Sequence, residues 1–191
     1  MTSNGESQLP KSQSDSRLEN ERLISGAKDV LSQGLNLLSA LSPDLYSQVA
    51  PAPYNASLGQ HYRHMLEHFQ CLLRGQLARE INYDARERNA ALETDLSRAV
   101  NTTHEILNVL SSQNSDGLER SCLLINSLGY TDQNVSILNS TLVREYAYCI
   151  GHAIHHYAII RFLCHHFGVK VQDDFGIAPS TLKSLHQVAG R

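Results

Sequence analysis

The sequence lacks tryptophan, is poor in other aromatic residues, and contains no segment that would anchor it to a membrane. Aromatic residues make up 6% of its 191 residues, and Leu, Ala and Ser are abundant, a composition that favours helices. No apolar stretch reaches the roughly 18 residues that a membrane span requires. The start of the chain, MTSNGESQLPKSQSDS, lacks the apolar region of a signal peptide. We therefore expect neither a membrane partner nor secretion.

The charge and the cysteine content indicate which partners and which cellular compartment to expect. The net charge of −3 and the lack of a polybasic run exclude the electrostatic footprint of a nucleic-acid-binding protein. The four cysteines form no CxxC pair, which indicates reduced thiols rather than a disulfide framework. Together with the missing signal peptide, they predict a cytoplasmic protein.

Helical periodicity dominates the chain after a polar start. Residues 1–16 are rich in Ser and Gln and are predicted to form a disordered tail. The length of the remainder, 17–191, predicts a single domain. Apolar residues recur with a period near 3.6 from Arg17 to Leu41, which predicts a first helix. Three more helices are predicted: from a cap at Ser57 to about Leu77, from a cap at Asn82 or Asp84 to about Ser112, and from Ser140 or Thr141 to His166 or Phe167, before Gly168.

The segment between the last two predicted helices follows a different period. Residues 121–126 and 134–138 are predicted to form two short strands of a hairpin-like excursion. The tail after the last long helix is expected to be irregular, with a helical turn after Pro179. Phe175 is the expected anchor by which this tail covers one end of the helices.

Six histidines lie in two tight clusters. The clusters are QHYRHMLEHF, with His61, His64 and His68, and GHAIHHYAII, with His152, His155 and His156. At about 100° per residue on a helix, the first three fall within an arc of about 60° that borders the apolar face. His152 and His156 fall about 40° apart on a helix that apolar residues surround almost completely, so this helix is predicted to be central. Buried histidines need hydrogen-bond partners or a metal ion.

The spacing of these histidines suits a metal ion. Histidine is the commonest metal ligand among side chains, and a pair at i and i+4, such as His152 and His156, presents two imidazoles to one ion. Two such helices packed face to face could hold one ion, and the spacing leaves open which histidine of the first cluster contributes. The alternative is a non-catalytic helical scaffold or binding module in which the histidines are structural.

At these residues the chain resembles the DinB-like superfamily, helical proteins often described as metal-dependent enzymes, over about residues 20–168. The resemblance rests on the HxxxH of His152 and His156. It rests also on the segment QHYRH that ends at His64, which is similar to the WHLAH segment in the related N-terminal domain of ergothioneine-forming sulfoxide synthases. Many members have Arg-Gly-Gln after the last histidine, whereas this chain has Tyr-Ala-Ile, which indicates an atypical subgroup.

This resemblance implies an all-α fold, an antiparallel four-helix bundle, here with a small β-hairpin-like insertion before the last long helix. It also implies a three-histidine metal site of His64, His152 and His156, with His68 as the alternative to His64. Because all the ligands are nitrogens, the ion would be a divalent transition metal, Zn, Ni or Fe(II). Three neutral imidazoles leave coordination positions open, which is typical of a catalytic site.

Such a site is expected to serve a metal-dependent enzyme, either a hydrolase or a thiol S-transferase, since a bound ion can supply hydroxide or activate a thiolate. The expected partner is an unidentified small-molecule substrate, and a homodimer is left open.

Two charged positions are candidates for roles beside the ion. Glu145 lies two turns before His152 on the same stripe. It is predicted as the catalytic residue, either a base or a group that orients a ligand, and the alternative is a charge favoured by the start of the helix. Arg86 or Arg88 could reach an anionic substrate at the mouth of the bundle, and the alternative is a solvated helix start with local ion pairs.

Overall fold

The computed structural model describes residues 13–130 and 135–189. Most of the predicted disordered tail, and the first residue of the predicted second strand, lie outside these ranges. In chain order the elements are α1 (Gln13–Leu38), α2 (Pro43–Ser47), α3 (Leu58–Ala78), β1 (Glu80–Asn82), α4 (Ala90–Thr94), α5 (Leu96–Ser112), β2 (Ser121–Ser127), β3 (Val135–Thr141), α6 (Leu142–His166) and α7 (Pro179–Ala189). The first helix therefore begins four residues before the predicted Arg17.

Side-chain caps set the starts of the two helices that carry the histidine clusters. The Ser57 hydroxyl accepts a hydrogen bond from the backbone N–H of Gln60 at 3.1 Å, and the Gln60 side chain accepts one from the backbone N–H of Ser57 at 3.0 Å. This reciprocal capping box starts α3 at the predicted residue. At α6 the Thr141 hydroxyl accepts from the N–H of Arg144 at 3.3 Å, which confirms Thr141 as the cap.

The predicted third helix is wrong over its first five to seven residues, before Ala90, and it is interrupted again at Asp95. The Asn82 side chain accepts hydrogen bonds from the backbone N–H groups of Asp84 and Ala85, a turn that competes with a helix start. Arg88 then adopts a left-handed φ of 50°, which a right-handed helix cannot contain. Helix α4 begins only after Asn89, and α5 begins after Asp95, where each side chain caps the helix that follows it.

A three-stranded mixed sheet overturns the predicted all-α class. Strands β2 and β3 pair antiparallel, with Leu124 opposite Leu138, as the predicted hairpin requires. Strand β1 adds a parallel partner on the other edge of β2, with Ile81 opposite Leu124. The fold is therefore a mixture of helices and sheet, and the prediction of a four-helix bundle with only a hairpin insertion is wrong. A strand of three residues has no readable alternation, and its partner lies far away in the chain, so the local pattern cannot reveal it.

The four long helices meet around a pair of buried tyrosines. Helices α1 and α3 each pack against both α5 and α6. The rings of Tyr62 on α3 and Tyr157 on α6 stack with their centroids 6.4 Å apart. The Tyr157 hydroxyl donates to the Val30 carbonyl at 3.0 Å, and the Tyr62 hydroxyl lies 3.1 Å from the Thr103 hydroxyl. A Cβ atom at Gly34 would overlap the hydroxyls of Tyr157 and Tyr62, so a larger residue where α1 crosses this pair would displace one of them.

The tail after α6 is anchored as predicted and is more helical than predicted. Phe175 is 2% exposed, and its ring stacks on Tyr157 with the centroids 4.7 Å apart. The Arg161 guanidinium donates hydrogen bonds to the carbonyls of Asp173 and Phe175 at 2.9 and 3.1 Å. Helix α7 then runs for 11 residues instead of a single turn. Across the described ranges, no helix combines the length and apolar character needed to cross a membrane.

The Phe175→Ala substitution is expected to lower the free energy of unfolding by about 3–5 kcal/mol, because it opens a cavity beside Tyr157. The measurement is urea unfolding followed by circular dichroism. The matched control is Leu185→Ala in α7, where the side chain is 53% exposed and the change should stay within about 0.5 kcal/mol. Equal losses in the two variants would show that the tail is not anchored through Phe175.

Candidate metal centre

Helices α3 and α6 pack together and bring three histidines to one point. The ring centroids of His64 and His152 lie 5.1 Å apart, and each of these rings lies 4.6 Å from the ring of His156. One nitrogen from each ring lies within 4.8 Å of the other two. The structure therefore brings together the three histidines that were predicted as metal ligands.

The spacing of the three nitrogens is close to that of a metal site. A point equidistant from three atoms 4.8 Å apart lies about 2.8 Å from each of them, whereas Zn–N bonds are about 2.0–2.1 Å long. Inward shifts of less than about 1 Å per nitrogen would close that difference.

One nitrogen of the three histidines is buried without a hydrogen-bond partner in the described structure. The Nε2 atom of His152 is shielded from solvent and has no hydrogen-bond partner among the described residues. A buried polar atom without a partner costs free energy. The nearby nitrogens of His64 and His156 make a shared metal ion the natural partner for this atom, so the residues present fit such an ion.

The three imidazoles are held in the neutral form that binds metals. Burial lowers the pKa of His64 to about 4, that of His152 to about 4 and that of His156 to about 2. Repulsion from neighbouring histidines, and for His64 and His152 also from Arg86, is a smaller part of these shifts. At neutral pH each ring therefore has a lone pair on one nitrogen, which a metal ligand requires.

His61 supports His156 from the first cluster. The Nδ1 atoms of the two rings lie 3.1 Å apart, so one of them donates a hydrogen bond to the other. When Nδ1–H of His156 is the donor, its lone pair lies on Nε2, on the opposite side of the ring. Metal-binding histidines commonly donate their second N–H to such a partner, which fixes the tautomer and the orientation of the ring.

His68, the alternative ligand, lies against the trio without joining it. Its Nδ1 atom is 2.8 Å from the carbonyl oxygen of His64, and because a carbonyl only accepts, Nδ1 carries the hydrogen. The side chain is buried, and its ring lies 4.2 Å from that of His152. His155, the remaining histidine of the second cluster, is exposed. Of the two clusters, one histidine on α3 and two on α6 form the close set.

Two tyrosine rings pack against the histidines, and neither tyrosine was predicted as a residue of the site. The ring of Tyr83 stacks on His68 with the centroids 5.1 Å apart, and the ring of Tyr148 stacks on His152 at 5.4 Å. Tyr148 lies four residues before His152, so the helical spacing could have indicated it. Tyr83 follows β1, and the parallel pairing that positions it has no local signal.

Tyr83 connects Glu145 with the histidine cluster. Its carboxylate is completely buried and accepts hydrogen bonds from the hydroxyls of Tyr83 at 2.9 Å and Ser140 at 2.5 Å. The Arg144 guanidinium donates a further bond at 3.3 Å. These contacts favour an orienting role, in which Glu145 fixes the ring that packs on His68. The catalytic role of Glu145 stays a prediction.

Comparisons with known proteins give one relative. A protein named FK506-binding protein 5, from Rhizopus delemar, is 34% identical to this chain over 105 residues. The matched part is 55% of this chain and 27% of the relative, so the chain spans about a quarter of that protein's length. No family model matches the chain, and no solved structure matches it.

These findings contradict the predicted resemblance to the DinB-like superfamily. The relative bears a different name, and the observed sheet departs from an all-helical bundle. The expectations of a hydrolase or a transferase followed from that resemblance and are withdrawn with it. The motif misled because any helix that offers two imidazoles to one side spaces them three or four residues apart, whatever its ancestry.

Acidification is expected to destabilise the metal-free protein. Burial depresses the folded-state pKa values of His64, His152 and His156 below the ordinary value of 6.5. Protons therefore bind the unfolded chain first, and stability falls as the pH drops from about 6.5 toward about 4. The measurement is the melting temperature of chelator-treated protein between pH 7.5 and pH 4.5.

The His156→Gln variant should show a shallower decline over this range, because it removes the most strongly shifted of the three groups. The control is His104→Gln, an exposed position on α5, which should follow the unmodified protein. If all three proteins show the same slope, the buried histidines do not govern the acid response.

Proposed function

We propose that this chain is a metal-binding protein that holds one divalent transition-metal ion through His64, His152 and His156. The observation that carries the proposal is the convergence of three neutral imidazole nitrogens within 4.8 Å of one another. The buried and unpartnered Nε2 of His152 in the described structure supports it, because coordination would remove the cost of burying that atom.

The donor set restricts the ion and its chemistry. Three imidazole nitrogens suit Zn, Ni or Fe(II) better than Mg or Ca, which prefer oxygen. Three protein ligands leave at least one position for an exogenous ligand, as in catalytic zinc sites. Because imidazoles are uncharged, the ion would keep its full charge and could polarise a ligand bound at that position.

The second hypothesis is a scaffold in which the histidines are structural. The hydrogen bonds of His156 to His61 and of His68 to the His64 carbonyl are what such a core would contain. They leave Nε2 of His152 without a partner in the part of the chain that the structure describes, and for this reason we favour the metal site. The two hypotheses differ in whether metal binding changes stability.

The purified protein is expected to bind about one equivalent of Zn²⁺ or Co²⁺ and to melt at a higher temperature with it, because a ligand that binds only the folded state stabilises that state. Removing a residue that only orients a metal ligand typically weakens metal binding by about 10–100-fold. His64→Ala, His152→Ala and His156→Ala should each weaken metal binding by more than this. Isothermal titration calorimetry after chelation measures the affinity.

His155→Ala is the matched control for this experiment. His155 is an exposed neighbour on the same helix, and its loss should leave the metal affinity unchanged. Unchanged metal binding in all three ligand variants would contradict the assignment of the ligands. A chelator that changes neither the stability of the protein nor its metal content would favour the scaffold.

His61→Ala is expected to weaken metal binding by about 10–100-fold, because His156 would lose the partner that fixes its tautomer and orientation. The stoichiometry should remain near one, since the three coordinating nitrogens stay in place. Calorimetric titration of His61→Ala beside His104→Ala separates this effect from the loss of any imidazole. An affinity equal to that of the unmodified protein would mean that the bond between His61 and His156 does not orient the ligand.

A further inference from the structure

A guanidinium group lies at the edge of the histidine cluster. Arg86 belongs to the non-helical stretch after β1, and its Nη1 atom donates a hydrogen bond to the carbonyl oxygen of Tyr83. The ring of Tyr83 in turn stacks on His68, with the centroids 5.1 Å apart. The backbone that follows β1 therefore holds this positive charge close to Tyr83, whose ring packs on the histidine that borders the candidate metal centre.

One donor group of the Arg86 guanidinium has no close protein partner in the described structure. Its Nε atom is buried and has no hydrogen-bond partner within the described ranges. The Oε2 atom of Glu67 lies 3.9 Å away, which is too far for a hydrogen bond. The other oxygen, Oε1, accepts from the backbone N–H of Asn89 at 2.7 Å. The Arg86 side chain keeps 16% of its surface exposed, and its Nε–H is a donor that no described residue uses.

The local charge balance favours an anion beside the histidines. The three imidazoles are neutral and would leave the charge of a divalent ion uncompensated. Arg86 adds a further positive charge, and its Nε atom lies 3.9 Å from Oε2 of Glu67, a residue of α3 between His64 and His68. Glu67, which is almost completely buried, is the carboxylate nearest this arginine, and its single charge cannot balance both the ion and the guanidinium.

We propose that the exogenous ligand of this site is a small carboxylate, bound by one oxygen to the ion held by His64, His152 and His156 and by the other to Arg86. The inference rests on the proposed metal site. A guanidinium binds a carboxylate oxygen through charge-assisted hydrogen bonds. The two oxygens of a carboxylate match the one ion and the one guanidinium, and its negative charge offsets part of their positive charge.

The test uses the full chain loaded with Co²⁺, whose visible absorption reports a change of ligand. Acetate is titrated as the probe, and imidazole serves as a neutral probe of the same coordination position. Arg86→Gln is expected to weaken acetate binding by about tenfold or more, which corresponds to the loss of a charged hydrogen bond. The affinities for Co²⁺ and for imidazole should change less than about threefold, since neither ligand needs a cationic partner.

Three further variants separate ligand binding from folding. Arg88→Gln is the matched control, because Arg88 is an exposed neighbour in the same stretch, and it should bind acetate normally. Arg86→Lys keeps the charge but loses the planar fork, so acetate binding should weaken several-fold, and this variant decides the matter if Arg86→Gln does not fold. Glu67→Gln removes the competing negative charge and should strengthen acetate binding.

The outcomes distinguish the two proposals. Failure of the unmodified protein to bind Co²⁺ overturns the proposed metal site. Normal Co²⁺ binding with equal acetate affinity in the unmodified protein, Arg86→Gln and Arg86→Lys overturns the role of Arg86 alone. Parallel losses in the Arg86 and Glu67 variants would show a structural ion pair instead. Tighter binding of inorganic phosphate than of acetate would overturn the choice of a carboxylate.

Discussion

The packing of α3 against α6 creates the candidate metal site, because it places the histidines of the two helices in the interface between them. An imidazole on a solvated helix face has water as a partner, whereas one in a helix interface must find a protein group or an ion. His61 and His68 find such groups, in the ring of His156 and the carbonyl of His64. In the described structure His152 does not find one for Nε2, and this deficit motivates the metal hypothesis.

The sheet supports this interface from one end of the helices. Glu145 on α6 binds both Tyr83, which follows β1, and Ser140 on β3. One buried carboxylate therefore connects the two outer strands with the central helix. Tyr83 transmits the connection to His68 by stacking, and its carbonyl holds Arg86. The small sheet thus places an aromatic wall and a cation beside the histidines, which helices alone would not supply.

Features that depend on neighbours in sequence were predicted well. The cap at Ser57 was predicted, and the cap of α6 was narrowed to Ser140 or Thr141, because a cap acts across three residues. The hairpin of β2 and β3 was visible because its strands are consecutive. The long third helix was wrong, since the Asn82 turn and the left-handed Arg88 interrupt a stretch whose composition suits a helix. The resemblance to the DinB-like superfamily, inferred from a few histidines, was also wrong, because helical geometry alone produces their spacing.

The sequence by itself determined which histidines share a helical stripe, because that depends only on the 3.6-residue period. It left open which histidine of the first cluster meets His152 and His156, and the tertiary structure selects His64. It left Arg86 and Arg88 as alternatives for contacting an anionic substrate, and it contained no sign that Tyr83 and Arg86 would lie together beside the histidines. Those two residues arrive through the parallel pairing of β1 with β2, a contact between distant parts of the chain that only the folded structure decides.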